Sequence, residues 1–294
     1  MTAKKEEFHK IGVITKIKAK HYLPVLTQLV SYLNKQKKEI YLDLNCSSVL
    51  GKRGGLDKTE MLRKVSMAIV LGGDGTLLKV ARKLSTKKVQ VLGVNMGNVG
   101  FLTETSPRDM IKALGRVFKG HYVLDERLLL RVTVYRNGKK YWTSLALNDA
   151  VINQGGFARL IDLFVSVNKR KLALYRADGL IVATPTGSTG HSLSGGGPIV
   201  HPRIEGLLLT PICPVKLGFR PILIPNNRQI SIELKTEWRA EKKPIVLTID
   251  GQLTINLKRG DVIRIRTSSR TFNMIRMTGH NYYRMLRKKL NWGE

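Results

Sequence analysis

A chain of 294 residues with 43% hydrophobic and 24% charged residues can build one large domain or two of ordinary size, and it lacks the compositional marks of disorder. Its 51 Lys and Arg against 21 Asp and Glu give a net charge of +30, which draws polyanions (nucleic acid, anionic lipid, phosphorylated metabolites) without naming a fold. No apolar run reaches the roughly 18–20 residues of a membrane span; residues 1–10 lack the apolar segment of a secretory signal, and Cys46 and Cys213, without metal-type spacing, fit a reduced cytoplasmic protein.

In chain order, residues 11–17 read as a first strand and 22–33 as a helix, with Leu23, Leu26, Leu29, Val30 and Leu33 at helical spacing. Residues 40–44 alternate as a strand. The apolar run from Met67 to Leu71 reads as a buried strand that enters Gly72-Gly73-Asp74-Gly75-Thr76, after which Leu77, Leu78, Val80, Ala81 and Leu84 continue a helical pattern. A further strand over 89–94 leads into Asn95-Met96-Gly97-Asn98-Val99-Gly100-Phe101, and 107–118 reads as a helix with Pro107 in its first turn. Strands alternating with helices predict an α/β domain with a largely parallel sheet over residues 1–120.

Beyond that point the texture changes. Residues 128–135 and 141–147 alternate around an Asn137-Gly138 hairpin signal, and strand patterns recur at 161–167, 222–224, 230–234, 245–249, 253–257 and 262–265. Residues 121–275 are therefore expected as an antiparallel β domain. Residues 276–294 are expected to carry a terminal helix, with Tyr283, Leu286 and Leu290 on one face, that packs back on the N-terminal domain.

Chemistry concentrates in a few segments. Ligands of an open α/β sheet sit beyond the carboxyl ends of its strands, and glycines at a helix start admit polyphosphate, so Gly72, Gly73, Gly75 and Thr76 are candidate phosphate-binding residues. Asp74 sets an anion where phosphate is expected. That arrangement makes sense if the carboxylate meets a metal ion or accepts a hydroxyl proton, as in phosphoryl transfer. There is no Walker A lysine: the nearest spacing, 115–120, continues with His121. The 95–101 turn loosely matches a dinucleotide fingerprint, and Phe101 reads first as a core residue and second as a ring for stacking on a base. Asn148-Asp149 ends a strand pattern and by itself reads as an edge turn; Asp250-Gly251-Gln252 reads as a hairpin turn. Residues 178–198 combine Asp178 and an apolar run with the hydroxyls of Thr184, Thr186, Ser188, Thr189, Ser192 and Ser194 and five glycines beyond residue 186, too dense a set for an ordinary surface loop. His9, His21, His121, His201 and His280 are scattered without metal-ligand spacing.

Taken together, 72–76, 95–103, Asn148-Asp149, 176–198, Arg220-Pro221, Asp250-Gly251-Gln252 and 283–292 resemble the NAD kinase family, in the family's order and across nearly the whole chain. The first segment is shared with diacylglycerol-type lipid kinases, whereas 186–198 separates the two. The resemblance implies ATP-dependent phosphorylation of the 2′-hydroxyl of the adenosine ribose of NAD to give NADP. It also implies an α/β domain plus a β-sandwich-like domain, with the active site in the crevice between them. By that resemblance Asp74 is the catalytic base or orienting group, and Gly72, Gly73, Gly75 and Thr76 hold phosphates. Asp74 and Gly75 also touch NAD, Phe101, Asn148, Thr189 and Ser194 line the adenine and ribose pocket, and Asp149 and Asp178 hold the other nucleotide half. Arg176 favours NAD over NADH, and Gln252 completes the NAD-binding set. The family usually has Ala-Tyr where Gly190-His191 stands, so His191 offers a smaller ring to the adenine. A divalent cation, Mg2+ with ATP, is implied, as is a cytoplasmic homo-oligomer, dimer or tetramer, with no membrane or nucleic-acid partner. Two other readings remain: a lipid kinase sharing 72–76, and a basic nucleic-acid-binding protein whose salt-dependent binding would survive Asp74→Asn.

Overall fold

The computed structural model describes residues 8–16, 20–97, 100–154, 160–236 and 244–292. Of the expectations above, most of the charged start (1–7), the end of the first strand at Ile17, and Asn98-Val99 of the 95–101 turn lie outside these residues. The chain divides into unit 1, residues 1–126 with 272–294, and unit 2, residues 127–271.

Unit 1 runs β1 (Lys10–Thr15), α1 (Leu23–Lys35), β2 (Glu39–Leu42), α2 (Leu44–Val49), α3 (Lys58–Lys64), β3 (Met67–Gly72), α4 (Asp74–Arg82), β4 (Gln90–Asn95) and α5 (Met110–Phe118). The strands pair in parallel in the order β2-β1-β3-β4, and a late segment of the chain adds a fifth, with Asn273 opposite Gln90. Every residue of β3 is buried, as a parallel strand covered on both faces requires. Leu26, Leu29 and Leu33 of α1 and Leu114 and Val117 of α5 pack with Ile69, Leu71, Leu92 and Val94 in one core; each such side chain contributes about 1.5–3 kcal/mol by leaving water. The strand expected over 40–44 stops at Leu42, because the Asp43 carboxylate accepts the Cys46 N–H at 2.8 Å and starts α2. Asp57 starts α3 in the same way, through the Thr59 N–H. The helix expected from 107 begins at Met110, with Pro107 in the turn before it.

β5 (Tyr122–Arg136) leads into unit 2, where β6 (Lys139–Ala146), β7 (Asp149–Gln154), β8 (Ile161–Val167), β9 (Arg170–Ala177), β10 (Gly179–Ala183), the single turn α6 (His191–Ser194), β11 (Gly206–Ile212), β12 (Ile222–Pro225), β13 (Ile230–Leu234), β14 (Ile245–Ile249) and β15 (Leu253–Asn256) follow. β16 (Val262–Met277) carries the chain back into unit 1, which α7 (Tyr282–Leu290) completes. In unit 2 the ladders β16-β13-β8-β9 and β5-β6 are antiparallel, as is the second sheet, β12-β11-β10-β7-β14-β15. Strand alternation turns Val132, Leu163, Ile232 and Ile263 of the first set toward Ile152, Val182, Leu209 and Leu247 of the second, which makes a sandwich with one apolar core. Asn137 and Gly138 form the expected tight hairpin, both with positive φ (51° and 73°). In α7, capped by Asn281, Leu286 is buried and Tyr283 is 61% exposed, and the two line one cavity with Arg287 and Trp292.

Candidate active site

β3 delivers the chain to Gly72 at the carboxyl end of the parallel sheet, and α4 starts two residues later, behind an extended Gly73 (φ −112°, ψ −171°). Asp74 is therefore the first residue of a helix, where helix geometry leaves amides without intrahelical acceptors and the dipole attracts anions. A side chain on Gly73 would enter open space, so the protein's own packing does not demand glycine here and the backbone is open to approach. Asp74 is half-buried, and two consecutive amides orient its carboxylate: Phe101 N–H donates to Oδ2 at 2.8 Å and Leu102 N–H to Oδ1 at 3.1 Å. A side chain on Gly100 would overlap this carboxyl group. Each oxygen has a further lone pair for a ligand. Gly72 and Thr76 are buried and Gly75 is exposed, while Phe101 is half-buried. The backbone of Phe101, more than its ring, is what the geometry ties to Asp74.

In unit 2 a second group of the expected residues converges. Asn148, Asp149, His191, Asp250 and Gly251 line a cavity of about 250 Å³ together with Val151, Asn153 and Thr248. Its organiser is Asp250. The β14–β15 hairpin turns at Asp250-Gly251 with positive φ at both (50° and 63°), which folds the Asp250 carboxylate back onto the 147–149 connection. There it accepts the N–H groups of Leu147 (3.3 Å), Asn148 (2.8 Å) and Asp149 (3.2 Å), and Asp250 N–H donates to the Asp149 carbonyl at 3.0 Å. The Thr184 hydroxyl donates to the Leu147 carbonyl at 2.6 Å and its N–H to the Asn148 carbonyl at 2.8 Å, tying the end of β10 to the same turn. Asp149 is not an edge-turn residue. It opens β7, which lies between β10 and β14, and it is 3% exposed. Burial first, and the neighbouring Asp250 charge second, push its carboxyl group up to about 7.

The other expected residues lie outside that cavity. Arg176 is largely exposed on β9, 3.9 Å from Asp162; Asp178 is half-buried, and Ser194 and Gln252 are exposed. The hydroxyls of residues 184–198 serve the loop itself more than the sequence predicts. Ser188 donates to the Pro185 and Val200 carbonyls (2.7 and 3.1 Å), Thr189 to Thr186, Ser192 pairs with Thr210 at 2.9 Å, and Thr186 accepts from buried Arg127 at 3.2 Å. Val151, Asn153 and Thr248 escape the sequence reading, although Asp149, Val151 and Asn153 share one face of a strand by period two, a signal visible once β7 is recognised.

Two known sequence families match this architecture: an ATP-NAD kinase N-terminal domain over residues 55–122 and an ATP-NAD kinase C-terminal domain over residues 147–277. The chain is 39% identical over 285 residues to the NAD kinase of Geotalea daltonii, covering 97% of this chain and 99% of that protein. It is 41% identical over 290 residues to the NAD kinase of Magnetococcus marinus, covering 97% and 94%. Among solved structures, an NAD kinase from Archaeoglobus fulgidus in complex with ATP superposes with a TM-score of 0.73 at 26% identity, covering 96% of this chain and 98% of that one. Yeast NADH kinase complexed with NADH shares the fold, with a TM-score of 0.89 at 22% identity over 99% of this chain and 89% of that one.

Proposed function

The chain belongs to the NAD kinase family, and from that membership we propose how its residues divide the work. It is an enzyme that phosphorylates NAD at the expense of ATP, the acceptor being the 2′-hydroxyl of the adenosine ribose and the product NADP. Asp74 receives or orients the proton of that hydroxyl. A carboxylate is a weak base for an alcohol, yet it suffices here, because the loose transition state of phosphoryl transfer lets the hydroxyl keep its proton until late. Gly72, Gly73, Gly75 and Thr76 receive the donor phosphates at the start of α4, where the room beside Gly73 supports the assignment. The observation that carries the reading is the Asp74 carboxylate held by two amides at the carboxyl end of β3.

In unit 2 the coenzyme is held by Asn148, Asp149 and His191 around the cavity that Asp250 organises, with Thr189 and Ser194 assigned to adenine and its ribose and Gln252 in the hairpin turn. In unit 1 Phe101 is assigned to the adenine and ribose and Gly75 to the coenzyme. Asp178 serves the other nucleotide half, and the exposed Arg176 favours NAD over NADH. Among the described residues no three His, Cys, Asp or Glu side chains converge on a metal site. The donor set fits Mg2+ carried by the ATP phosphates, since Mg2+ prefers substrate oxygens plus one or two carboxylates, and Asp74 is the carboxylate of the loop able to join it. When bound, the cation neutralises phosphate charge. No helix among the described residues is long and apolar enough to cross a membrane. We place the enzyme in the cytoplasm, which its two free thiols support, as a homo-oligomer, dimer or tetramer. Unit 1 supplies the phosphate loop and unit 2 most of the coenzyme contacts. Incubation with NAD, ATP and Mg2+, with NADP detected by an NADP-specific dehydrogenase, tests the reading. Absence of NADP under those conditions overturns it.

A further inference from the structure

Arg276 is among the largest fully buried side chains of the molecule, at 1% exposure, and the reaction as assigned so far makes no use of it. It arrives on the last turn of chain in β16, within unit 1, and its guanidinium reaches four acceptors there. Nη2 donates to the Phe101 carbonyl at 2.8 Å, Nη1 to the Thr103 carbonyl at 3.1 Å and to Glu104 Oε2 at 3.0 Å, and Nε to Asp125 Oδ2 at 3.2 Å. Glu104 is itself fixed: its Oε1 accepts the Met277 N–H at 2.7 Å, and His280 Nδ1 lies 3.3 Å from Oε2. The segment 101–104 is thus clamped at two carbonyls and one carboxylate by a single planar fork, a geometry Arg supplies and Lys cannot.

The clamp bears directly on Asp74. The Phe101 carbonyl and the Leu102 N–H belong to one planar trans peptide group, so the two point in opposite directions. Arg276 holds the oxygen of that plane and Asp74 Oδ1 accepts from its nitrogen, while the adjoining Phe101 N–H reaches Oδ2. Fixing the carbonyl fixes the amide, and fixing the amide fixes the carboxylate. We propose that Arg276 is a positioning residue for the phosphoryl-transfer step: through the Phe101–Leu102 peptide it sets the orientation of the Asp74 carboxylate toward the acceptor hydroxyl. This rests on the assignment of Asp74 as base or orienting group.

The test is a double-mutant cycle between Arg276→Lys and Asp74→Asn, with kcat and the KM values for NAD and for ATP each measured with the other substrate and Mg2+ saturating, and folding checked by circular dichroism. Arg276→Lys keeps the buried charge but loses the fork. It should lower kcat by about 10- to 100-fold, the scale of a misplaced catalytic group, with KM for NAD and ATP within about threefold of wild type. Asp74→Asn should lower kcat by about 10²- to 10⁴-fold, and adding Arg276→Lys to it should cost no more than about threefold further. Wild-type kcat in Arg276→Lys, a loss confined to KM, or a loss that multiplies in the Asp74→Asn background overturns the inference while leaving the Asp74 assignment standing. Wild-type kcat in Asp74→Asn overturns the assignment itself. If Arg276→Lys does not fold, Asp125→Asn at the edge of the clamp is read in the same cycle. A kcat loss of a few-fold that vanishes in the Asp74→Asn background supports the inference, and wild-type kcat or a multiplying loss overturns it.

Discussion

Two of the chain's three Asp-Gly pairs, Asp74-Gly75 in unit 1 and Asp250-Gly251 in unit 2, show how the same dipeptide at the end of a strand is put to opposite uses. Asp74-Gly75 follows β3 and opens a helix; its carboxylate is half-exposed and takes two amides from a neighbouring segment. Asp250-Gly251 follows β14 and closes a hairpin; its carboxylate is buried and takes three amides. In the first case the surrounding backbone aims a carboxylate that keeps free faces. In the second the carboxylate gathers the backbone. What differs in sequence is the period of the apolar residues that follow: helical after Thr76, alternating after Gln252. The first pair is suited to chemistry and the second to architecture, and that contrast can be attacked experimentally.

The largest effect is expected at Asp74. Asp74→Asn should abolish nearly all NADP formation, by about 10²- to 10⁴-fold, with the thermal unfolding midpoint within a few degrees of wild type. Asp250→Ala should act first on stability, and on turnover through KM for NAD rather than through the Asp74 step. It strips the acceptor from buried amides, each worth about 1–3 kcal/mol, so urea unfolding should show a loss of at least about 2 kcal/mol, while the folded remainder keeps Asp74 oriented. If Asp250→Ala unfolds at the wild-type urea midpoint, the architectural role fails.

Asp149 sharpens the comparison, because burial first and the Asp250 charge second raise its carboxyl group to about 7, above the ordinary value of about 3.9. Between those values the folded chain holds a proton that the unfolded chain has released. The stability contributed by this group is therefore greatest near the lower value and declines as pH rises through about 7. Asp149→Asn should gain in thermal midpoint relative to wild type between pH 5 and 8. For the coenzyme the sign reverses: an ionised Asp149 accepts hydroxyl hydrogen bonds, so wild-type KM for NAD should rise by about 3- to 10-fold from pH 8 to pH 6. That slope should flatten in Asp149→Asn. The smallest effect belongs to His191→Tyr, whose larger ring should lower KM for NAD by about 2- to 10-fold, the range of an aromatic contact of about 0.5–1.5 kcal/mol.

The change from α/β to antiparallel texture could be read directly, because β3, α4 and the Asn137-Gly138 hairpin are each specified within a dozen neighbouring residues. The Gly72–Thr76 turn was legible for the same reason. Other features depend on partners remote in sequence. β16 runs sixteen residues, yet only 262–265 looks like a strand, because residues 266–271 (Arg-Thr-Ser-Ser-Arg-Thr) continue without an apolar residue. Asn148-Asp149 has the composition of a turn, and only the ladders to β10 and β14 make Asp149 the start of a strand. Arg276 looks like one more member of a basic C-terminal run. Its burial is decided by Glu104 and Asp125, more than 150 residues earlier. The one local hint was a charge set between Ile275 and Met277 in an otherwise apolar stretch.

The return of β16 to unit 1 has a consequence for synthesis on the ribosome. Residues 1–126 emerge first but lack their fifth parallel strand, α7 and the Arg276 fork until residues 272–294 have been translated. At roughly 5–20 residues per second the wait while 127–271 are made is on the order of ten seconds. During that interval β4 presents an unpaired edge and Glu104 lacks its cation, so the nascent N-terminal segment is the stage of biogenesis most exposed to misassembly. A stop codon after 126 and before 272 would leave that state permanent.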